Sequence, residues 1–347
     1  MPKLSVQACE KGWDRRGNRR CAWVCGGHVS ECSDLDTYPR AGSLKQMDWI
    51  FYPGLNNPAR ANETREATEE FLRNHDDLQR RVQDHLRARY EINDLIPQTL
   101  DRFGSGHYFP FSESYDELEK SLLLSVFGFY RNAFDSLRTS LELSLVGLFY
   151  DRDDDAGSKI QEWIRSDAPT PWFRKDMIPA LSTIPGYEAF CKISNFEDVL
   201  QKLYGNLSSF VHVRGFPYSS TRLSSSNVIQ FSEESLRVYI DFFCEVVHSS
   251  VILILLKYPI GMQAVPLMSK FGLNPPAGGF LDVEEQVAVL AILGEDEQLV
   301  LQAISDADPK VREIVEQIEA MPDLTTEEWE QQAERLKATL SSLRGDR

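Results

Sequence analysis

SYDELEKSLLLSVFGFYRNAFDSLRTSLELSLVGLFY, residues 114–150, is the stretch on which the fold turns. Ser114 followed by Glu117 fits a capping box, in which the two side chains satisfy free N–H groups at a helix start. No proline interrupts the run as far as Tyr150. Leu122, Leu123, Leu124, Val126, Phe127, Phe129, Phe134, Leu137, Leu141, Leu145 and Leu148 make it apolar on several faces, which predicts a central helix of a bundle. Arg131, Asp135, Arg138 and Glu142 fall at i, i+4, i+7 and i+11, so they line one face, and charges at that spacing pair with one another. Two readings of this stripe are open: a solvated face, or a partly buried one turned toward the helix that ends at His212.

Outward from this helix the chain reads as mostly α. Before it, Thr64 to Ile96 carries apolar residues at Phe71, Leu78, Val82, Leu86 and Tyr90, the spacing of one amphipathic helix, closed by Pro97. After it come short helices over residues 158–190, broken by Pro169, Pro171, Pro179 and Pro185. A helix over Asn195–Val213 follows, then a serine-rich loop over Gly215–Asn227 and a short strand at Val228–Phe231. A long helix over Glu233–Lys257 starts after Ser232 and stops before Pro259. Pro275-Pro276-Ala277-Gly278-Gly279 reads as a linker. The expected organisation is an irregular segment over 1–61, an antiparallel helical bundle over 62–274, and an acidic helical appendage over 281–347.

A net charge of −16 argues against a protein that coats nucleic acid broadly, while leaving room for a local basic site. Residues 281–347 hold 6 Lys/Arg against 17 Asp/Glu, a surface that either is simply solvated or docks a basic partner. The first residues are polar with no apolar leader, and the apolar run Val246–Leu256 is interrupted by His248 and spans only about half of a bilayer core, so no membrane is expected and the cytoplasm is the expected compartment. In a reducing compartment the cysteines are thiols or metal ligands. Cys9, Cys21, Cys25 and Cys32, with His28, could supply four ligands to zinc, although no Cys-x-x-Cys pair is present; the other reading is free thiols. The nearby Arg15, Arg16, Arg19 and Arg20 could touch phosphate or be plain surface. Cys191, Cys244 and His248 read as core residues, and His75 and His85 as surface ones. No cofactor is expected for the bundle, since neither a phosphate loop around Gly104-Ser105-Gly106 nor a Gly-x-Ser-x-Gly elbow is recognisable.

The strongest chemical candidate is His212, at the end of an apolar helical pattern and before Gly215. Its imidazole exchanges protons near neutral pH. On a helical wheel Tyr204, Ser208, Val211 and His212 share a face, with Arg214 two residues on. Histidine with arginine is a workable pair for RNA cleavage, the one moving a proton and the other steadying phosphate charge. The alternative is that His212 only meets the carbonyls at the helix end.

Tyr130-Arg131-Asn132-Ala133-Phe134-Asp135-Ser136-Leu137-Arg138-Thr139-Ser140-Leu141-Glu142, with Tyr204-x-x-Leu207-Ser208-x-x-Val211-His212, resembles the HEPN-like helical proteins of bacteria over residues 110–258. The resemblance implies an α-helical bundle, homodimers, and roles in antiphage defence or toxin–antitoxin systems. Many members are ribonucleases with an Arg-x(4–6)-His motif. Here the arginine of that motif would stand at 205, 206 or 207, which are Gly205, Asn206 and Leu207. The candidate site is therefore His212 with Arg214, Arg138, Arg131 and Asn206. Two classes of function remain: an RNA-cutting or RNA-binding effector, and a non-catalytic interaction module or scaffold.

Overall fold

The computed structural model describes residues 12–13, 19–20, 58–97, 106–151, 156–224, 229–274, 276 and 278–345. Two compact units are present, residues 1–52 and 53–347. In the first, Gly12–Trp13 pairs antiparallel with Arg19–Arg20. Cys9, Cys21, Cys25, His28 and Cys32 lie outside the described residues, so the expected zinc set falls there.

The second unit is mainly helical. In chain order its helices are α1 (Pro58–Arg73), α2 (Asp76–Glu91), α3 (Phe109–Val126), α4 (Tyr130–Tyr150), α5 (Ala156–Ile164), α6 (Ile178–Leu181), α7 (Tyr187–Ser194), α8 (Phe196–Val211), α9 (Ser220–Ser224), α10 (Glu233–Lys257), α11 (Leu267–Phe271), α12 (Val283–Leu290), α13 (Glu295–Ala307), α14 (Pro309–Ala320) and α15 (Thr326–Gly345). Helices α4 and α10 form the centre. Phe134, Leu137, Leu141 and Leu145 of α4 and Tyr239, Phe243, Val247 and Val251 of α10 are wholly out of solvent. Around them pack α3 and α8 on α4, α2 on α10, and α12 on α2. By length and composition α10 could cross a membrane, but 72% of its most apolar window is buried within the protein, which makes it a core helix. The acidic C-terminal helices lie in the same unit, and Leu281, Val289, Leu293 and Leu301 join its core.

Four sequence expectations need correction. The run Thr64–Ile96 is two helices, broken at Asn74-His75, whose N–H groups turn back to Phe71 and Leu72 carbonyls. The long central helix is also two, because Gly128 adopts φ +78°, where a Cβ would lie 2.9 Å from the Gln230 carbonyl oxygen. Ser114 caps nothing. It sits in the interior of α3, fully buried, and bonds Ser144 Oγ at 2.7 Å and the Ser140 carbonyl at 2.8 Å. Ile229 to Phe231 is irregular rather than a strand, with Val228 outside the described residues; Phe231 packs on Phe71 instead of pairing.

Candidate functional site

Helix α8 is positioned by its apolar face, where Leu200, Leu203, Leu207 and Phe210 are buried and Phe210 stacks flat on Phe134 of α4 at 4.0 Å. This contact sets the charged stripe of α4 beside Tyr204, Ser208 and the helix end. The stripe does face the His212 helix. Arg138 bonds Ser208 Oγ through Nε at 3.2 Å, the Tyr204 hydroxyl at 2.6 Å and both oxygens of Glu142. Burial and the Glu142 carboxylate push the Tyr204 phenol up, so its hydroxyl keeps its proton and donates it to Glu142 at 3.2 Å. The Arg138 guanidinium also lies 5.1 Å from the Tyr204 ring centroid, and Phe173 stacks on the ring's face at 3.8 Å and 6°.

Two turns back along α4, Arg131 donates from Nε to the Phe210 carbonyl and from a terminal nitrogen to the Val211 carbonyl, at 3.3 and 3.2 Å. A cation on the last carbonyls of a helix suits its dipole. Asp135 lies between the two arginines in sequence. Burial pushes its carboxyl up, while Arg131, Arg138 and His212 pull it back down. Its Oδ1 is buried without a hydrogen-bond partner among the described residues. Asp135 also lines a groove of about 330 Å3 between α3 and α4, with Lys120, Leu124 and Asn132.

His212 ends α8 with its N–H on the Ser208 carbonyl, and its side chain is exposed. The chain then turns by a six-to-one and a five-to-two bond, Arg214 N–H to Ser209 O and Val213 N–H to Phe210 O. This is a Schellman closure. Val213 holds its left-handed position at φ +46°, where a β-branched residue is an outlier. Arg214 emerges exposed beyond it. Asn206 is about 200° around the helix from Tyr204 and Ser208, and it makes no hydrogen bond among the described residues.

The structure thus gathers Arg131, Asp135, Arg138 and His212, and leaves Asn206 apart. The donors of Arg138 are spent on α8 and Glu142, so the exposed His212 and Arg214 are the groups open to an outside anion. Sequence reasoning did not find Phe173, the stacking partner of Tyr204. Its signal was modest: an aromatic pair, Trp172-Phe173, in a proline-rich stretch. Elsewhere, His85 is not a plain surface residue, since burial lowers its imidazole to about 4. Cys244 is buried and its thiol is pushed up to about 12 by that burial. His248 bonds Glu297 at 2.9 Å. No group of three or more His, Cys, Asp or Glu among the described residues has a metal-holding arrangement.

Compared with known proteins, the chain matches no family model, no curated protein and no solved structure. What stands on its own residues is a mainly helical protein with a charged helix–helix joint ending in an exposed histidine.

Proposed function

We propose that the chain is a HEPN-like effector of a prokaryotic antiphage or toxin system that acts on RNA in the cytoplasm, as a homodimer, through His212 and Arg214. The observation that carries this reading is the buried Asp135 Oδ1 without a partner, beside Arg131 and Arg138 and in electrostatic contact with His212. From inside the joint Asp135 balances the two arginines, which leaves the exposed His212 and Arg214 as the groups that meet a phosphate. Ser114 opposite Ser140 and Ser144, with Phe111 against Gly147, supports the antiparallel pairing of α3 and α4 that the family would require. In the chemistry proposed, His212 transfers a proton at the 2′-hydroxyl or the leaving oxygen, and Arg214 steadies the phosphate. No metal takes part in these steps.

The test uses end-labelled single-stranded RNA with the pure full-length chain. The expected result is cleavage that survives EDTA and falls by about 10²-fold or more in His212→Ala, the size of a lost general acid or base. Equal cleavage by both proteins, or none by either with no RNA retained, removes the reading. A second reading is favoured by the engagement of Arg138 inside the protein: a non-catalytic interaction module or scaffold of a defence complex, in which the stripe is a structural clasp. It expects RNA-independent capture of a protein partner.

A further inference from the structure

The C-terminal region offers a feature that the His212 site does not use. Helix α12 buries Ala288 and Val289, yet its other side is not polar. Val283 and Val287, one turn apart, are 62% and 63% exposed. With Ala288 and Ala291 they floor a groove of about 380 Å3 against α2, whose Asp84 and Arg87 form the opposite wall. Two valines on one helix face thus leave apolar area in water that no described residue covers.

The rim charge selects among possible occupants. Arg87 is paired with Glu91 at 3.4 Å. Asp84 and Glu284, both exposed, have no ion-pair partner among the described residues and leave the rim acidic. A second copy bringing the same face would set these carboxylates against their own counterparts. RNA and anionic bilayers are repelled for the same reason. Two helices bordering a shallow apolar floor accept a third helix that presents apolar residues at i and i+4.

We infer that the α2–α12 groove docks an amphipathic helix of a partner protein, one with small or branched apolar anchors and flanking Lys or Arg. This deepens the interaction reading and is independent of RNA chemistry at His212. A synthetic Leu/Lys amphipathic helical peptide is the probe, measured by fluorescence anisotropy with the full chain, beside its Leu/Glu counterpart. The Lys peptide should bind and the Glu peptide should not. Val287→Asp and Glu284→Lys should each weaken binding by about tenfold, the cost of a lost anchor or a reversed rim charge. Glu316→Lys on the exposed face of α14 is the control and should leave it within about twofold. Because positions 287 and 284 are exposed, folding is checked by an unchanged helical spectrum and melting point. Three outcomes overturn the inference: equal binding of the two peptides, binding indifferent to Val287→Asp, or an equal loss in Glu316→Lys. A sedimentation shift from dimer to monomer in Val287→Asp would also overturn it, by assigning the groove to a second copy. RNA cleavage by Val287→Asp, equal to that of the parent, separates this result from the fate of the His212 reading.

Discussion

Val213 shows how a single residue fixes the candidate site. The turn that presents His212 and Arg214 on opposite sides of it needs a left-handed residue at 213, and the sequence puts valine there while the glycine comes two places later, at 215. A left-handed β-branched residue costs about 1–2 kcal/mol. Since Val213 is 41% exposed, little packing offsets that cost. Val213→Gly should therefore raise stability by roughly 0.5–1 kcal/mol, allowing for the extra freedom glycine gives the unfolded chain. Urea unfolding measures this, and a loss of stability would mean that the valine packs better than its exposure suggests. If RNA cleavage also falls in the stabilised variant, the strain is part of how His212 is presented. Reading Gly215 as the start of the loop was natural from sequence. The real pivot was hidden because no local pattern marks a valine forced through φ +46° by the bonds around it.

At the scale of elements, helices were legible and their breaks were not. Amphipathic spacing exposed α1 with α2, and α3 with α4, as helical runs. The interruption at Gly128 depends on what packs outside it, the Gln230 backbone, and the one at His75, where the Phe71 ring stacks on the imidazole, has no proline or glycine to mark it. The site residues on α4 were legible for the same reason, being i, i+4 partners on one helix. Phe173 was not, since its contact with Tyr204 is long-range. The joints between elements also carry the pH response. Glu285, which closes the capping box of α12, is raised to about 7 by burial and by the nearby Asp282, Asp94 and Glu91 carboxylates. Its native carboxyl holds a proton that the unfolded chain gives up, so between about 4.5 and 7 it adds stability as the pH falls. His85 does the reverse. Burial lowers it to about 4, and the neighbouring Arg81 and His248 push the same way, so it subtracts stability as the pH falls from about 6.5 to 4. The two slopes oppose each other in the same window. Measured against the parent, the melting point of Glu285→Gln should fall on acidification over this window, and that of His85→Gln should rise. Parallel curves for all three proteins would show that neither group titrates as its surroundings require.

The whole molecule changes the meaning of its charge distribution. Read as sequence, residues 281–347 are an acidic appendage, and removing them would be a clean way to ask what they bind. The folded second unit does not treat them so. Leu281, Val289, Leu293 and Leu301 are at most 7% exposed and belong to the main core. The Gln286 side chain holds the Gly261 carbonyl, and Glu297 holds His248 of α10. At about 1.5–3 kcal/mol for each buried side chain, those four contribute roughly 6–12 kcal/mol. That is the size of an entire domain's stability, about 5–15 kcal/mol. A chain ended at residue 280 should therefore lose its cooperative thermal transition or precipitate, rather than persist as a folded bundle without a tail. Ending it at residue 325 removes α15, whose Leu336 and Leu340 are about half exposed, with the two Gln332 bonds to Phe271 and Leu273, and should lower the melting point only slightly. Leu301→Ala gives an intermediate case, with an expected loss of about 2–4 kcal/mol. Calorimetry of the three proteins orders them. A chain ended at 280 that still melts cooperatively near the parent's temperature would restore the appendage view. The expected order instead makes the acidic helices part of the fold, so that binding by this region has to be probed with point changes on its exposed valines.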